Sequence, residues 1–348
     1  GIRNFDAAKA YEGMRLNAFS TPYLAKDYRD GKGRRAIRSY MDNGYIPLED
    51  MVEEAFHTNE QTSRTLEYAF DDYAVAQMAK ALHDSCQDAS LRQKYLEDYN
   101  DLMRRSENWR NVINPATGWA DGRYENGKWE NNEDLVHRKS YITEGATCHY
   151  TWYVPQNPEG LFEVIRNSKP KDKQEKQIEK AERKMEKKGE TPVRNEKVIA
   201  RLDKMFDNGW YWHGNEPCHQ VAYLYDAAGA PEKTQERVHH ILQTEYNDTP
   251  GGLSGNDDAG QMSAWYVFSS IGFYPVCPGT PYYYIGTPSF DKVTLNLENG
   301  RKFILSADRQ HKDDYLIQSL TLNGKPLADY RLSHQQILSG GELHFQMK

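Results

Sequence analysis

The sequence predicts a mainly α-helical domain that ends in a small antiparallel β-sheet, on three observations. Apolar residues recur at helical spacing up to about residue 273. From Tyr282 onward they alternate with period two, and two Asn-Gly pairs, Asn299-Gly300 and Asn323-Gly324, place hairpin turns in this second part.

The elements follow in order. Between Thr62 and Leu82, one face collects Leu66, Ala69, Phe70, Tyr73, Ala74, Met78 and Ala81, which predicts a long amphipathic helix. A second helix is expected from Ser90 to Asn111. Val221, Leu224, Tyr225 and Ala228 repeat at helical spacing until Gly229, and Pro231 opens another helix bearing Val238, Ile241 and Leu242. The segment Gln261–Ile271 is apolar almost all round (Met262, Trp265, Tyr266, Val267, Phe268) and is expected to be enclosed by protein on most sides. Val293, Leu295 and Leu297 face Phe303 and Leu305 across the first Asn-Gly turn. Leu343, Phe345 and Met347 complete a sheet whose apolar face needs a partner layer.

Lys169 to Glu190 is almost entirely Lys, Glu, Gln and Asp, with Ile178 and Met185 seven residues apart. Its balanced charges predict a solvated insertion laced with ion pairs rather than a docking helix.

Composition excludes several functions. A net charge of -7 and a pI near 5.9 leave no basic stripe to displace counterions from nucleic acid. No apolar run reaches the roughly twenty residues of a membrane span. The four cysteines, Cys86, Cys148, Cys218 and Cys277, show no CxxC spacing, so buried free thiols are expected rather than a structural zinc site. No phosphate-binding Gly-rich loop is present, since the glycines at 251, 252 and 255 lack the Lys that such a loop requires. The 24 Tyr and 7 Trp supply surfaces on which sugars stack, although most such rings fill cores. The chain opens at Gly1 with no secretion signal, so a processed or truncated N-terminus is expected.

Three loops gather polar groups beside aromatics. Gly255-Asn256-Asp257-Asp258-Ala259-Gly260 sets two adjacent carboxylates at the start of the apolar helix. Asp258 followed by Gln261 has capping-box spacing, which gives one acid a structural task and leaves Asp257 without one. Tyr141 to Trp152 places Glu144 ahead of small residues and then aromatics. Trp210 to Gln220 crowds Trp212, His213, Asn215, Glu216 and His219 around Pro217. Asn215 or Glu216 can serve as an N-cap with Pro217 as the first helical residue, and His149, His213 and His219 are expected as satisfied hydrogen-bonding groups rather than metal ligands.

The strings GNDDAGQMSAWYVFSSIGFYPVCPG, GNEPCHQVAYLYDAAGAPEKTQ, RTLEYAFDDYAVAQMAKAL and TEGATCHYTWYVPQ resemble the glycoside hydrolase family 92 alpha-mannosidases, over almost the whole chain except the charged insertion. The resemblance implies an exo-acting, calcium-dependent, inverting alpha-mannosidase that removes terminal mannose from glycans of N-glycan or yeast-mannan type. Its fold would be an (α/α)6 barrel joined to an N-terminal β-sandwich. On that basis the chain divides into a helical catalytic region, 1–275, with the charged insertion at about 168–195, and a β-strand region, 276–348. The first barrel helices and the sandwich on which the strands would pack are expected to lie outside the chain. The resemblance also implies a periplasmic, cell-surface or secreted location.

Carried over by position, Glu144 corresponds to the general acid and Asp258 to the general base, with Asp257 assisting. Asn256, His213, Trp212 and His149 would contact the sugar, and Asn215 and Glu216 would hold calcium, a cation that accepts carboxylate, amide and carbonyl oxygens. Inversion needs an acid at the leaving oxygen and a carboxylate activating water on the opposite face, and the aromatics after Glu144 are expected to favour its protonated form. Two departures stand out. Asn256 replaces an Asp that many members carry, and Thr147-Cys148-His149 replaces the Ala-Trp-Gln of many members that cut alpha-1,2 bonds, so another linkage preference is expected. Relatives that act on mannose phosphodiesters have Gln in place of the acid, whereas Glu144 is retained. The alternative reading is a glycan-binding fragment without turnover.

Overall fold

The helical and period-two patterns both appear in the computed structural model, which describes residues 4–20, 33–51 and 58–348. The chain forms two compact units, residues 1–169 and 170–348. The composition change near residue 275 therefore falls inside the second unit.

In the first unit, α1 (Ala7–Phe19), α2 (Ile37–Asn43), α3 (Gln61–Ser85) and α4 (Ala89–Arg105) precede a two-stranded ribbon of β1 (Ile113–Asn114) and β2 (Trp119–Ala120). Helices α5 (Thr147–Tyr150) and α6 (Pro158–Asn167) follow. α3 and α4 pack with α1 around Tyr11, Ala18, Val75, Ala76, Ala79, Tyr95 and Leu102. The buried stripe of α3 differs from the expected one: Leu66 and Ala69 are buried, but Ala81 is exposed and Asp72 lies inside. The reason is electrostatic. Arg34 donates to Asp72 at 2.6 Å, Arg105 at 2.9 and 3.1 Å, and Tyr40 at 2.9 Å, so the charge enters the core fully bonded.

The second unit starts with α7 (Lys173–Glu186) and α8 (Glu196–Asp207). The charged insertion is solvated only on its outer side. Glu175, 1% exposed, receives Arg201 at 3.1 Å on both oxygens, and Lys197 donates to Glu179 at 2.9 Å. These pairs anchor α7 to α8, which the alternation of charge alone does not reveal.

A short turn of 3-10 helix, Val221–Tyr223, leads to α9 (Leu224–Ala227), α10 (Pro231–Thr244) and α11 (Gln261–Ile271). Pro231 is the first residue of α10, whose Val238, Ile241 and Leu242 are buried. α11 is not enclosed as expected: Met262 and Trp265 are buried, while Tyr266 and Val267 are 41% and 54% exposed. Its apolar residues exceed what one packed face can take.

Strands β3 (Phe273–Tyr274), β4 (Tyr282–Ile285) and β9 (Arg331–Ser333) form one small antiparallel sheet. β5 (Lys292–Asn296), β6 (Lys302–Asp308), β7 (Ile317–Leu322), β8 (Lys325–Pro326) and β10 (Gly341–Met347) form another, in the order β5-β6-β10-β7-β8. Both Asn-Gly turns close hairpins, β5–β6 and β7–β8. Pairing is antiparallel except between β10, which follows the short helix α12 (His334–Leu338), and β6; β10 lies between β6 and β7, antiparallel to β7 and parallel to β6. The apolar face of Phe303, Leu305, Leu343 and Phe345 finds its partner layer within the chain, against Phe273, Ile285, Leu332 and Ile337. All four cysteines are free, and three of them are buried.

Candidate active site

In the second unit, two backbone segments touch because neither carries a side chain at the crossing. A Cβ on Gly255 would lie 2.3 Å from the Gly214 carbonyl oxygen, and one on Gly214 would lie 2.7 Å from both the Ser254 carbonyl oxygen and the Trp212 indole. Only glycine permits this approach. It brings the backbone of the Trp212–Glu216 segment against that of the Asn256–Asp258 segment. Trp212, Glu216, Asn256 and Asp258 are exposed there, Asp257 is half-buried, and Asn215 is 7% exposed.

The two aspartates have exchanged the roles that spacing assigned them. Asp257 is the structural acid: its Oδ1 accepts the Ser263 amide at 3.0 Å and the Ser263 hydroxyl at 2.9 Å. It thereby caps the first turn of α11, where the helix dipole favours an anion. Asp258 makes no capping bond. Asp258, Ala259 and Gly260 stand in succession at φ +50, +57 and +97, a left-handed turn that lifts the Asp258 side chain off the helix axis.

Gln261 does not close a capping box either. Its Nε2 donates to His219 Nδ1 at 3.2 Å and to the Tyr274 hydroxyl at 3.0 Å. His219, 1% exposed, donates through Nε2 to the His213 carbonyl at 2.9 Å. Burial lowers its pKa, while the His213 carbonyl and the Asp258 charge oppose that shift. The Asp258 charge is thus felt at one of the buried imidazoles that the sequence places around Pro217.

His213 is not available to a sugar. It is 0% exposed, its Nδ1 pairs with the Tyr211 hydroxyl at 2.7 Å, and its Nε2 with the Tyr246 hydroxyl at 2.6 Å. Burial first, and the neighbouring His219 second, push its pKa down to about 3. With Trp265, whose ring centre lies 4.4 Å away, it forms the aromatic floor beneath the loops. Its role is that of a satisfied core histidine.

Glu144 and His149 belong to the first unit. The segment around Tyr141 lies across the start of α3: Thr62 donates to the Tyr141 carbonyl at 3.0 Å, and the Thr143 amide donates to Ser63 Oγ at 3.0 Å. This fixed loop holds Glu144 at φ +51, with its side chain exposed. The aromatics that follow do not shelter it, because Tyr150 and Trp152 are 2% and 1% exposed and turn into the core. His149 Nδ1 accepts the Ala146 amide at 3.1 Å, which places the proton of its neutral form on Nε2. The Tyr150 hydroxyl donates to Glu67 at 3.3 Å. Its pKa is raised strongly, by burial first and also by the charges of Glu67 and Glu144. Glu67 escaped the sequence reading, although its place one turn after Ser63 on the buried start of α3 was a signal.

The donors expected for calcium are few in number. Asn215 and Glu216 offer an amide and a carboxylate at consecutive positions, against roughly six to eight oxygens for a full shell. Among the described residues no three His, Cys, Asp or Glu side chains gather as a metal cluster.

Residues 1–348 match the glycosyl hydrolase family 92 catalytic domain. The chain resembles a solved family GH92 alpha-mannosidase from Bacteroides thetaiotaomicron, with 34% identity, a TM-score of 0.78, and coverage of 100% of this chain and 40% of that one. It also resembles a GH92 inverting mannosidase from the same bacterium, with 31% identity, a TM-score of 0.79, and coverage of 100% and 44%. An uncharacterized secreted glycosidase from the fungus Arthroderma benhamiae is 28% identical over 372 residues, covering 99% of this chain and 42% of the relative. The chain thus spans less than half the length of these relatives. The likeness assigns the helical part to the (α/α)6-barrel class expected from the sequence. Among the described residues, no helix is long and apolar enough to cross a membrane. With a match over its whole length and solved relatives above 30% identity, the chain belongs to glycosyl hydrolase family 92.

Proposed function

We propose that this chain is the catalytic portion of an exported, calcium-dependent, inverting exo-alpha-mannosidase that removes terminal alpha-linked mannose from glycans of N-glycan or yeast-mannan type. The observation that carries the proposal is the backbone at two carboxylates: Glu144 and Asp258 are both non-glycine residues held at positive φ and both exposed. Strain of this kind is retained where the surroundings over-determine a functional group. The family membership and the two solved mannosidases support the substrate class. The fungal relative named as secreted supports export.

In the proposed reaction, the Glu144 carboxylic acid protonates the glycosidic oxygen as the bond to C1 breaks. The Asp258 carboxylate removes a proton from the water that attacks C1 from the opposite face. The products are β-mannose and the freed alcohol, with Glu144 ionised and Asp258 protonated until solvent restores both. Trp212 and Asn256 are exposed beside Asp258 and are assigned to the sugar, as is His149 beside Glu144. Asp257 assists through its cap, which fixes the residue before the base. Calcium, where bound at Asn215 and Glu216, would supply oxygen coordination to mannose hydroxyls. An N-terminal β-sandwich is proposed as the partner segment.

The test is mannose release from alpha-1,2, alpha-1,3 and alpha-1,6 mannobiosides, with and without a calcium chelator, on the chain alone and joined to the preceding segment. Chelator-sensitive release of mannose that is β when first formed, abolished by Asp258→Asn and by Glu144→Gln, is expected. Release of α-mannose, or turnover unchanged in both variants, would overturn the assignment.

A further inference from the structure

The segment that presents Glu144 also caps α3. The amides at the start of a helix have no partner within it, and here the residues just before Glu144 supply one. The Glu60 amide donates to the Ser140 carbonyl at 2.9 Å, and the amides of Thr62 and Ser63 donate to the Tyr141 carbonyl at 3.0 and 3.3 Å. Tyr141 and Ile142 are buried, and Thr143 is then gripped by a single side chain. Ser63 Oγ accepts the Thr143 amide at 3.0 Å and lies 3.0 Å from the Thr143 hydroxyl. Its own hydrogen goes to the Glu60 carbonyl at 3.1 Å, so the Thr143 hydroxyl must be the donor to Ser63. The buried Ser63 hydroxyl is thereby saturated, with one hydrogen given and two received. Both that it receives come from the residue before Glu144.

We infer that Ser63 is a positioning residue for the general acid: by holding Thr143 at two points, it fixes the backbone from which Glu144 departs at φ +51 and so aims the exposed carboxyl. The inference rests on the reading of Glu144 as the acid of a mannosidase. A non-glycine residue stays at positive φ only while its surroundings oppose relaxation. Without the Ser63 hydroxyl, Thr143 loses both bonds, and rotation at Glu144 carries the carboxyl away from the glycosidic oxygen. Proton transfer needs hydrogen-bond contact, and a displacement of about 1 Å costs on the order of 10²-fold. The attacking water is activated by Asp258 on another segment, so the loss falls on protonation of the leaving group.

The experiment compares two leaving groups on the chain joined to the preceding segment. The sugar alcohol released from an alpha-mannobioside must be protonated as it departs, whereas a dinitrophenyl alpha-mannoside releases a stable phenolate without an acid. Glu144→Gln is the reference and should lose far more turnover on the mannobioside than on the dinitrophenyl substrate. Ser63→Ala is expected to share that split: kcat lower on the order of 10²-fold on the mannobioside with KM little changed, and lower by less than about threefold on the dinitrophenyl mannoside. Thr143→Val removes the hydroxyl donor but keeps the amide bond, so the same split is expected at smaller size. It also serves as the test if Ser63→Ala does not fold. A serine needed only for folding would lower both substrates alike. Equal losses on the two substrates in Ser63→Ala and Thr143→Val, or no loss in either, while Glu144→Gln keeps its split, would overturn the inference and leave the acid in place. No split in Glu144→Gln would remove the acid reading itself, and the positioning role with it.

Discussion

Glu144 and Asp258, in separate compact units, share one uncommon backbone conformation, φ +51 and φ +50. For a side chain with a Cβ this costs roughly 1–2 kcal/mol per residue, whereas glycine adopts it freely. Glu144→Gly and Asp258→Gly should therefore keep or slightly raise the melting temperature while turnover falls on the order of 10²- to 10⁴-fold. Calorimetry and mannoside kinetics on the same preparations check this. A drop in melting temperature of many degrees would mean that the side chains, not the surroundings, hold these loops.

The neighbouring acids are expected to separate cleanly. Asp257→Ala removes the acceptor of both Ser263 bonds and should cost about 0.5–2 kcal/mol of stability, measured by denaturant unfolding. Asp258→Asn should leave stability unchanged and remove turnover. Equal loss of stability in the two variants would contradict the assignment of the cap to Asp257.

Gly255→Ala places a methyl group 2.3 Å from the Gly214 carbonyl oxygen, a distance that neither backbone can relieve without moving. A destabilisation of about 1–3 kcal/mol is expected, with a rise in KM because the Glu216 and Asp258 loops are forced apart. Gly251→Ala, where a Cβ meets nothing within 4 Å, is the control and should behave as the unaltered protein.

Asp226 gives a pH dependence of one sign. Both its carboxylate oxygens are sealed from solvent with no hydrogen-bond partner, and the nearby Thr234 hydroxyl lies outside bonding geometry. Burial raises its pKa well above the usual carboxylate range, so the native state holds a proton that the unfolded chain releases at about pH 3.9. Stability from this group is complete below that pH and is lost as pH rises toward the raised native value. Asp226→Asn should therefore match the unaltered protein near pH 4 and melt higher at pH 7 to 8. A variant less stable at pH 8 would refute the buried neutral acid.

His213 acts in the opposite direction. Its pKa of about 3 in the native state, against about 6.5 unfolded, means that the unfolded chain binds the extra proton between those values. Its contribution is complete above about pH 6.5 and erodes as pH falls toward 3. In NMR titration its ring should show no protonation down to pH 5, and a midpoint near 6.5 would rule out the enclosed His213 site.

Much of this fold was legible because it depends on local chemistry. The helix starting at Pro231 and both Asn-Gly hairpins follow from residues whose backbone preferences act over a few positions. The stripe of α3 was misplaced around Asp72 because a buried carboxylate is intelligible only with Arg34 and Arg105, which are distant in sequence. Spacing likewise gave the α11 cap to Asp258, since S/T/D-x-x-E/Q spacing cannot tell whether the backbone at Asp258 is left-handed. His213, expected at the sugar, is sealed in the core, and His219, Gln261, Tyr274 and Glu67 each acquire their hydrogen bonds from a partner on another segment, which spacing does not show.

The sequence by itself determined the family, the helical and strand periods, the hairpin turns and the residue types available at the candidate loops, because these depend on composition and on spacing within one element. Only the tertiary structure decided which of two adjacent aspartates caps the helix, which histidine is sealed and which lies beneath Asp258, and which way the hydrogen bonds through Gln261 run. Those outcomes depend on burial and on the polarity of partners that meet only when the chain folds.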